Sequence, residues 1–322
     1  MPDLLEPSSD FNILSLDGGG IRGVFSAALL GAFEEDFGIS VADHFDLIAG
    51  TSTGGIIALA LGLGIPVRDV LNFYQEKGPG VFGDGKRHLR IRHWFRTKHQ
   101  AGPLERALKE VFGDRTLGES RTRLVIPSYN LAEADVYVFR TPHLDKLRRD
   151  YRVPAWKVAL ATSAAPTYLP TNRDVDGLRL IDGGVWANNP SLAALAEASG
   201  QLGIDLHAVR VLNIGTVTAR RSLPVQLDNG GRLRWAQHAT RVIMDAGSIA
   251  VRNQTRFLLG EGRYLRIDGS ALPNELSLDD PSQIPDLIQK ARHLSRHFGP
   301  RVAPYFDHMP SRYEPMHTRK IP

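Results

Sequence analysis

A serine between two glycines has the surroundings of a nucleophile. Gly50-Thr51-Ser52-Thr53-Gly54 fits the pattern Gly-x-Ser-x-Gly, in which the serine occupies a sharp turn between a strand and a helix. The apolar run 45–49 precedes it and the apolar stretch 56–63 follows it. A Cβ at either flanking glycine, Gly50 or Gly54, would clash across such a turn, and the positive end of the next helix favours a nearby negative charge. Such pentapeptides also occur by chance, and Ser52 would then be an ordinary helix cap.

A glycine-rich segment after an earlier strand could bind a negative oxygen. Asp17-Gly18-Gly19-Gly20-Ile21-Arg22-Gly23 follows the apolar run 11–16 and opens a helical pattern. Successive glycines let backbone N–H groups converge on the oxyanion of an acyl-transfer intermediate. The same residues 18–23 match G-x-G-x-x-G, the dinucleotide fingerprint, which expects an acid at the end of the next strand. This chain has Gly50-Thr51-Ser52 there. A dinucleotide site and a plain tight turn stay open as alternatives.

A serine nucleophile needs a base, and Asp182 is the best-placed candidate. None of the eleven histidines follows a clear apolar strand in a glycine-rich turn, and His207 lies ahead of a strand. Asp182 ends the apolar run 178–181 and precedes Gly183-Gly184. A carboxylate acts as a general base within hydrogen-bond reach, about 2.6–3.2 Å. Because Asp-Gly turns are common, an ordinary turn remains the simpler interpretation of this position alone.

The elements that carry these residues alternate between strands and helices. Apolar runs predict strands at 11–16, 45–49, 123–129, 135–140, 178–181, 209–214 and 263–268. Helical patterns fall between them, and a long one at 231–259 carries Trp235, Ile243 and Ile249 on one face. This alternation predicts an α/β fold with a mostly parallel sheet covered on both faces. The domain prediction is an N-terminal extension at 1–10, one domain at 11–300 and a C-terminal tail at 301–322.

The composition limits the classes of site that the protein can contain and indicates its cellular compartment. The 322-residue chain has no cysteine, which excludes disulfides, thiolate zinc sites and cysteine nucleophiles. The net charge of +4 mildly favours an anionic partner surface. Residues 1–10 lack the features of a signal peptide, and the apolar stretch 56–65 is too short to span a bilayer, so we expect a cytoplasmic protein. Residues 86–99 hold six Lys/Arg, three His and two aromatic residues, which suits a membrane interface, a nucleotide pocket or an exposed loop.

In their order and spacing, these motifs resemble the patatin-like phospholipase family. Further stretches that look like the family are 161–166, 188–190 and 211–216. The resemblance implies a three-layer α/β/α fold with a mostly parallel central sheet, and a Ser–Asp dyad that needs no metal or organic cofactor. Ser52 would then be the nucleophile and Asp182 the base. Gly18, Gly19 and Gly20 would supply the oxyanion N–H groups, and Arg22 would support their loop.

The C-terminal part, which contains residues 266–268 and 278–280, is similar overall to bacterial family members of antiphage signalling systems. Those enzymes are switched on by cyclic di- or oligonucleotides and degrade the cell's own membrane. The resemblance implies a phospholipase of the A type that acts peripherally on phospholipids at the inner face of the membrane, with a cyclic nucleotide activator, no nucleic acid polymer as partner, and a homo-oligomer left open. A constitutive lipase and a non-catalytic lipid- or nucleotide-binding module remain alternatives.

Overall fold

The strands have the continuous apolar sequences that burial on both faces requires. A computed structural model describes residues 10–82, 100–219, 225–271 and 280–318. Within these ranges the strands form one seven-stranded sheet in the order β4-β3-β2-β1-β6-β7, with β5 paired to β3. The neighbours are parallel except β4 and β5, which run antiparallel to β3. The predicted, mostly parallel sheet is therefore confirmed. The strands are β1 (Phe11–Leu16), β2 (Leu47–Gly50), β3 (Arg123–Asn130), β4 (Asp135–Arg140), β5 (Leu180–Asp182), β6 (Val209–Ala219) and β7 (Tyr264–Ala271).

Helices cover both faces of this sheet. Alternate residues of one strand point into different cores: Leu14 packs with α1, α2 and α9, whereas Ile13 packs with α7. The resulting three layers are those that the family resemblance implies. The helices are α1 (Gly23–Phe37), α2 (Thr53–Gly62), α3 (Val67–Phe82), α4 (Ala101–Phe112), α5 (Ala155–Thr162), α6 (Gly184–Ala187), α7 (Ser191–Ala196), α8 (Arg232–Leu259) and α9 (Ile284–Phe306).

The structure describes only part of the chain near the predicted domain limits at residues 10 and 300. The helix α9 continues to Phe306, so the secondary structure does not change at residue 300, where the sequence places the end of the domain. The domain limits themselves stay a prediction. The basic segment 86–99, the residues 278–279 and most of the extension 1–10 lie outside the described residues.

The long helix α8 has the amphipathic pattern that the sequence predicts, but its apolar face points to solvent. Ile243 is 62% exposed and Ile249 is 50% exposed. The side of the helix that faces the protein carries Thr255 and Leu259, both buried. Among the described residues, no helix combines the length and the apolarity needed to cross a bilayer.

Candidate active site

The turn after β2 holds Ser52 in a backbone conformation that few side chains adopt. Ser52 has φ 55° and ψ −122°, which lies outside the regions that non-glycine residues favour. A Cβ added at Gly50 would lie 2.2 Å from the Gly54 oxygen, and one at Gly54 would lie 2.3 Å from the Leu16 oxygen. Gly50 therefore allows the sharp turn that the sequence predicts at Ser52, and Gly54 allows this turn to approach the end of β1.

The hydroxyl of Thr162, at the end of α5, supports this turn. The Ser52 N–H donates to Thr162 Oγ1 at 3.0 Å, and the Thr162 hydroxyl donates to the Pro127 carbonyl at 2.6 Å. One buried hydroxyl thus connects the turn to β3. Thr162 lies in the 161–166 stretch that supports the family resemblance, but its type and position alone do not predict this contact.

Asp182 reaches the level of Ser52 by a route that the sequence does not predict. We expected it at the carboxyl end of a parallel strand. Instead, β5 runs antiparallel to β3 and pairs with its distal end, with Asp182 opposite Ser128. Because β2 pairs Ala49 with Val125, Ser128 lies at the level of the turn that follows β2. The short strand β5 therefore runs back toward the turn and ends beside it.

The side chains of Ser52 and Asp182 lie close enough to interact. The Ser52 hydroxyl acts on the Asp182 carboxyl in the direction that lowers its pKa. The Gly184 N–H donates to Asp182 Oδ1 at 2.6 Å. Burial raises the pKa of Asp182 to about 6, while the hydrogen bond from Gly184 and the Ser52 hydroxyl act in the opposite direction. Near neutral pH the side chain is therefore mostly a carboxylate, with enough basicity to accept a proton from a bound hydroxyl.

The glycine loop lies beside Ser52, but two of its three predicted amide donors already have acceptors. The Gly18 N–H donates to the Asn188 carbonyl at 3.0 Å, and the Gly19 N–H donates to Thr53 Oγ1 at 3.2 Å. The Gly20 N–H has no acceptor within the described part of the chain. Gly20 has φ +59°, a conformation that favours glycine. Of the three predicted donors, the Gly20 amide is thus the one available to a ligand.

Arg22 connects the loop to the sheet, the supporting contact that the resemblance implies. Its Nε donates to the Gly19 carbonyl at 3.2 Å, and its Nη1 donates to the Val217 carbonyl in β6 at 3.0 Å. Two backbone oxygens from separate elements are thereby held by one side chain.

A buried polar cluster below the loop was not predicted from the sequence. Arg266 in β7 donates to Asp17 Oδ2 at 2.8 Å, and Asn213 Nδ2 donates to Asp17 Oδ1 at 2.8 Å. Burial raises the pKa of Asp17, and the Arg266 charge partly offsets this rise. The cluster holds the carboxyl end of β1, where the glycine loop begins. The Arg266 and Asp268 stretch quoted for the resemblance was the available signal.

The described contacts support neither a histidine base for Ser52 nor a dinucleotide site at the glycine loop. His143 bonds to Glu197, and His308 bonds to Asp46, so these buried histidines have carboxylate partners other than Asp182. The dinucleotide fingerprint needs an acid at the carboxyl end of β2. Asp46 precedes β2 at its amino end, and the strand ends at Gly50.

Comparisons with known proteins identify the family of this chain. The family model for patatin-like phospholipase matches residues 14–195. A protein of Pseudomonas aeruginosa named cGAMP-activated phospholipase is 35% identical over 82% of this chain and 80% of its own length. A protein of the same name from Vibrio cholerae is 31% identical over 91% of this chain and 93% of its own. Patatin-like protein 4 of Arabidopsis thaliana is 31% identical over 83% of this chain and 78% of its own. The chain belongs to the patatin-like phospholipase family.

Proposed function

We propose that this protein is a phospholipase of the A type that hydrolyses membrane phospholipid esters through Ser52 and Asp182. The observation that carries the proposal is the position of the Ser52 hydroxyl beside the Asp182 carboxyl, which lies at the level of the turn and whose pKa burial raises to about 6. An alcohol becomes a useful nucleophile when an adjacent base takes its proton. Membership of a phospholipase family gives the substrate class.

The reaction has two halves. The Ser52 oxygen attacks the ester carbonyl as its proton passes to Asp182, and a tetrahedral oxyanion forms. The Gly20 amide donates a hydrogen bond to this oxyanion. The Gly19 amide donates a second one once its hydrogen bond to Thr53 Oγ1 breaks. The intermediate collapses, the lysophospholipid leaves with the proton from Asp182, and an acyl ester remains on Ser52. Water, deprotonated by Asp182, then attacks this ester and releases the fatty acid and the free Ser52 hydroxyl.

The chemistry is tested with a soluble fluorogenic ester and with vesicles of defined phospholipid. Ser52→Ala and Asp182→Asn should each lower hydrolysis by at least about 10³-fold, on the scale of losing a catalytic nucleophile or base. Ser163→Ala is the matched control, since Ser163 is a second buried serine close to Asp182 in the fold and should retain wild-type activity. A fluorophosphonate probe should label Ser52, and mass spectrometry locates the label. Wild-type turnover in Ser52→Ala would refute the proposed nucleophile.

We propose further that a cyclic nucleotide activates this enzyme, as part of a defence response at the inner face of the membrane. The names of the Pseudomonas and Vibrio relatives support an activator of the cGAMP type. The assay with and without cGAMP separates a regulated enzyme, which responds, from a constitutive lipase, which does not. Absence of hydrolysis in both conditions would favour a lipid- or nucleotide-binding module.

A cavity remote from the dyad supports regulation from a distance. It is partly open to solvent and has a volume of about 670 Å³ at the amino ends of β2 and β3. Arg121 and Arg312 contribute cations to its wall, while Glu34, Asp43 and Asp46 contribute carboxylates. Such a wall suits a ligand with both phosphates and base N–H groups, and the volume is that of a typical small-molecule site. The helix α2 begins at the Ser52 turn and ends, near Leu61, at this cavity. A ligand bound there would not compete with the lipid.

A further inference from the structure

The apolar side chains that α8 exposes form one continuous stripe. Between Trp235 and Phe257 successive residues advance by about 100° around the helix, which places nine of them within roughly a third of its circumference. None of the nine is charged, and four are large apolar side chains that are 40–77% exposed: Trp235, Ile243, Ile249 and Phe257. The other five are Ala239, Val242, Ala246, Ala250 and Asn253. An exposed stripe of this kind marks a surface for interaction.

The opposite side of α8 contacts the loops of the active site. The Asn188 side chain donates to Ser248 Oγ at 3.1 Å, and the Asn188 carbonyl accepts the Gly18 N–H. A Cβ added at Gly184 would lie 3.1 Å from Met244 Cε, so Met244 packs against the residue whose amide binds Asp182. A helix with its side chains is about 10 Å across. The exposed stripe is therefore about one helix diameter from the loops that carry the dyad.

We propose that α8 docks the enzyme on a phospholipid bilayer, with this stripe buried at the boundary between headgroups and acyl chains. This inference rests on the proposed phospholipase function, because a lipid surface is then the substrate phase. One flank of the stripe carries Arg252 and Arg256 against a single acid within the helix, Asp245, and the exposed Glu261 beyond the helix lies 4.0 Å from Arg256. The Arg256 guanidinium lies 5.8 Å from the centre of the Phe257 ring. Arginine beside an aromatic residue suits a surface that presents phosphate above hydrocarbon.

A bilayer fits the dimensions of the stripe better than a second copy of the chain does. The segment from Trp235 to Phe257 is about 33 Å long at 1.5 Å per residue, and the stripe is about 10 Å wide. This gives on the order of 300 Å², whereas a stable protein interface buries about 800 Å² on each partner. Insertion of a narrow helical stripe into lipid has no such minimum area.

The test measures vesicle binding by full-length protein that carries Ser52→Ala, so that the lipid is not consumed. Vesicles of phosphatidylcholine and phosphatidylglycerol are used with and without cGAMP. The pair Ile249→Gln and Phe257→Gln should lower the partition coefficient by at least about 10-fold, on the scale of apolar transfer free energies. The matched control is the pair Leu131→Gln and Val136→Gln, which removes two exposed apolar side chains from another surface and should bind like the parent protein.

Two further measurements separate the possible outcomes. With Ser52 intact, the Ile249→Gln and Phe257→Gln enzyme should hydrolyse a soluble ester at the wild-type rate and vesicle lipid at least about 10-fold more slowly. The fluorescence lost in Trp235→Phe should be the component that shifts to the blue on vesicle addition. Unchanged vesicle binding by the Ile249→Gln and Phe257→Gln variant overturns the inference. If this variant also has a lower molecular mass in solution than the parent protein, the stripe is instead an interface with a second copy of the chain. Failure of ester hydrolysis in the wild type would instead refute the proposed function, and vesicle binding would still decide the role of α8.

Discussion

Asp182→Asn should abolish activity and stabilise the folded protein. Asparagine keeps the shape of the side chain, and its oxygen still accepts the Gly184 N–H. Because burial raises the pKa of Asp182 from an ordinary 3.8 to about 6, ionisation of this group opposes folding. At about 1.4 kcal/mol per tenfold change in proton affinity, the ionised carboxylate costs about 3 kcal/mol of unfolding free energy.

The raised pKa of Asp182 determines how the free energy of unfolding changes with pH. Between about pH 4 and pH 6 the folded protein binds a proton at Asp182 that the unfolded chain releases. The wild type therefore loses stability as the pH rises through this window, and the loss is complete above about pH 6. Asparagine has no proton to lose. We expect the variant to exceed the wild type by about 3 kcal/mol at pH 8 and by about 1 kcal/mol at pH 4.5.

Urea unfolding at both pH values measures these differences, and Glu197→Gln serves as the control with the opposite sign. Glu197 is also a buried carboxylate; burial raises its pKa, but the His143 hydrogen bond and the Arg140 charge outweigh burial and hold it below the ordinary value. Its ionised form stabilises the fold above the unfolded pKa, and this contribution is lost as the pH falls. Glu197→Gln should therefore destabilise the protein at pH 8. An Asp182→Asn variant no more stable than the wild type at pH 8 would refute the assigned electrostatics.

Three further predictions concern catalysis and test Asp182, Gly20 and Thr162. A fourth concerns regulation and tests Arg121. Hydrolysis of a soluble ester should fall about tenfold per pH unit below about pH 6, because the base must be unprotonated; a flat profile to pH 5 would exclude Asp182 as the base. Gly20→Ala forces a Cβ into φ +59° and should lower kcat by about 10²-fold, whereas Gly113→Ala, at φ +57° in open space, should leave kcat unchanged. Thr162→Val leaves the Ser52 amide without its acceptor and should lower kcat at least about 10-fold with KM unchanged, and Thr162→Ser should restore it. Arg121→Glu should abolish the response to cGAMP while hydrolysis without cGAMP stays the same, as titration of the activator will measure.

The sequence predicts the parts of this site that depend on local chain geometry. The turn at Ser52 needs glycine at position 50 because a Cβ there would meet Gly54, and this reason operates within five residues. Gly54 belongs to the same pentapeptide, although the clash that it avoids is with Leu16 of β1. The order of strands and helices predicts the sheet, because apolar runs and helical periodicity are also local signals. The long helix was likewise expected near 231–259 and is found at Arg232–Leu259.

Contacts between distant segments could not be predicted in this way. The sequence marks Asp182 as the end of a strand, but it does not specify that this strand runs antiparallel to β3. The hydrogen bond from Gly18 to the Asn188 carbonyl joins residues 170 positions apart, so the occupancy of that amide depends on the assembled fold. The periodicity of α8 predicts an apolar face, and only the packing of the opposite side decides that this face is exposed.

The energetic costs concentrated at the site favour an enzyme over a binding module that keeps the turns without the activity. Ser52 is held at φ 55°, and Asp182 is buried with a pKa of about 6. Each feature opposes folding, and contacts from other elements maintain it: Thr162 holds the Ser52 amide and Gly184 holds the carboxylate. A lipid- or nucleotide-binding surface needs neither a strained serine nor a buried acid, so substitutions that relieve these costs would improve it. In an enzyme, Asp182→Asn relieves the cost of burying a carboxylate but removes the catalytic base. This variant should therefore gain stability and lose turnover.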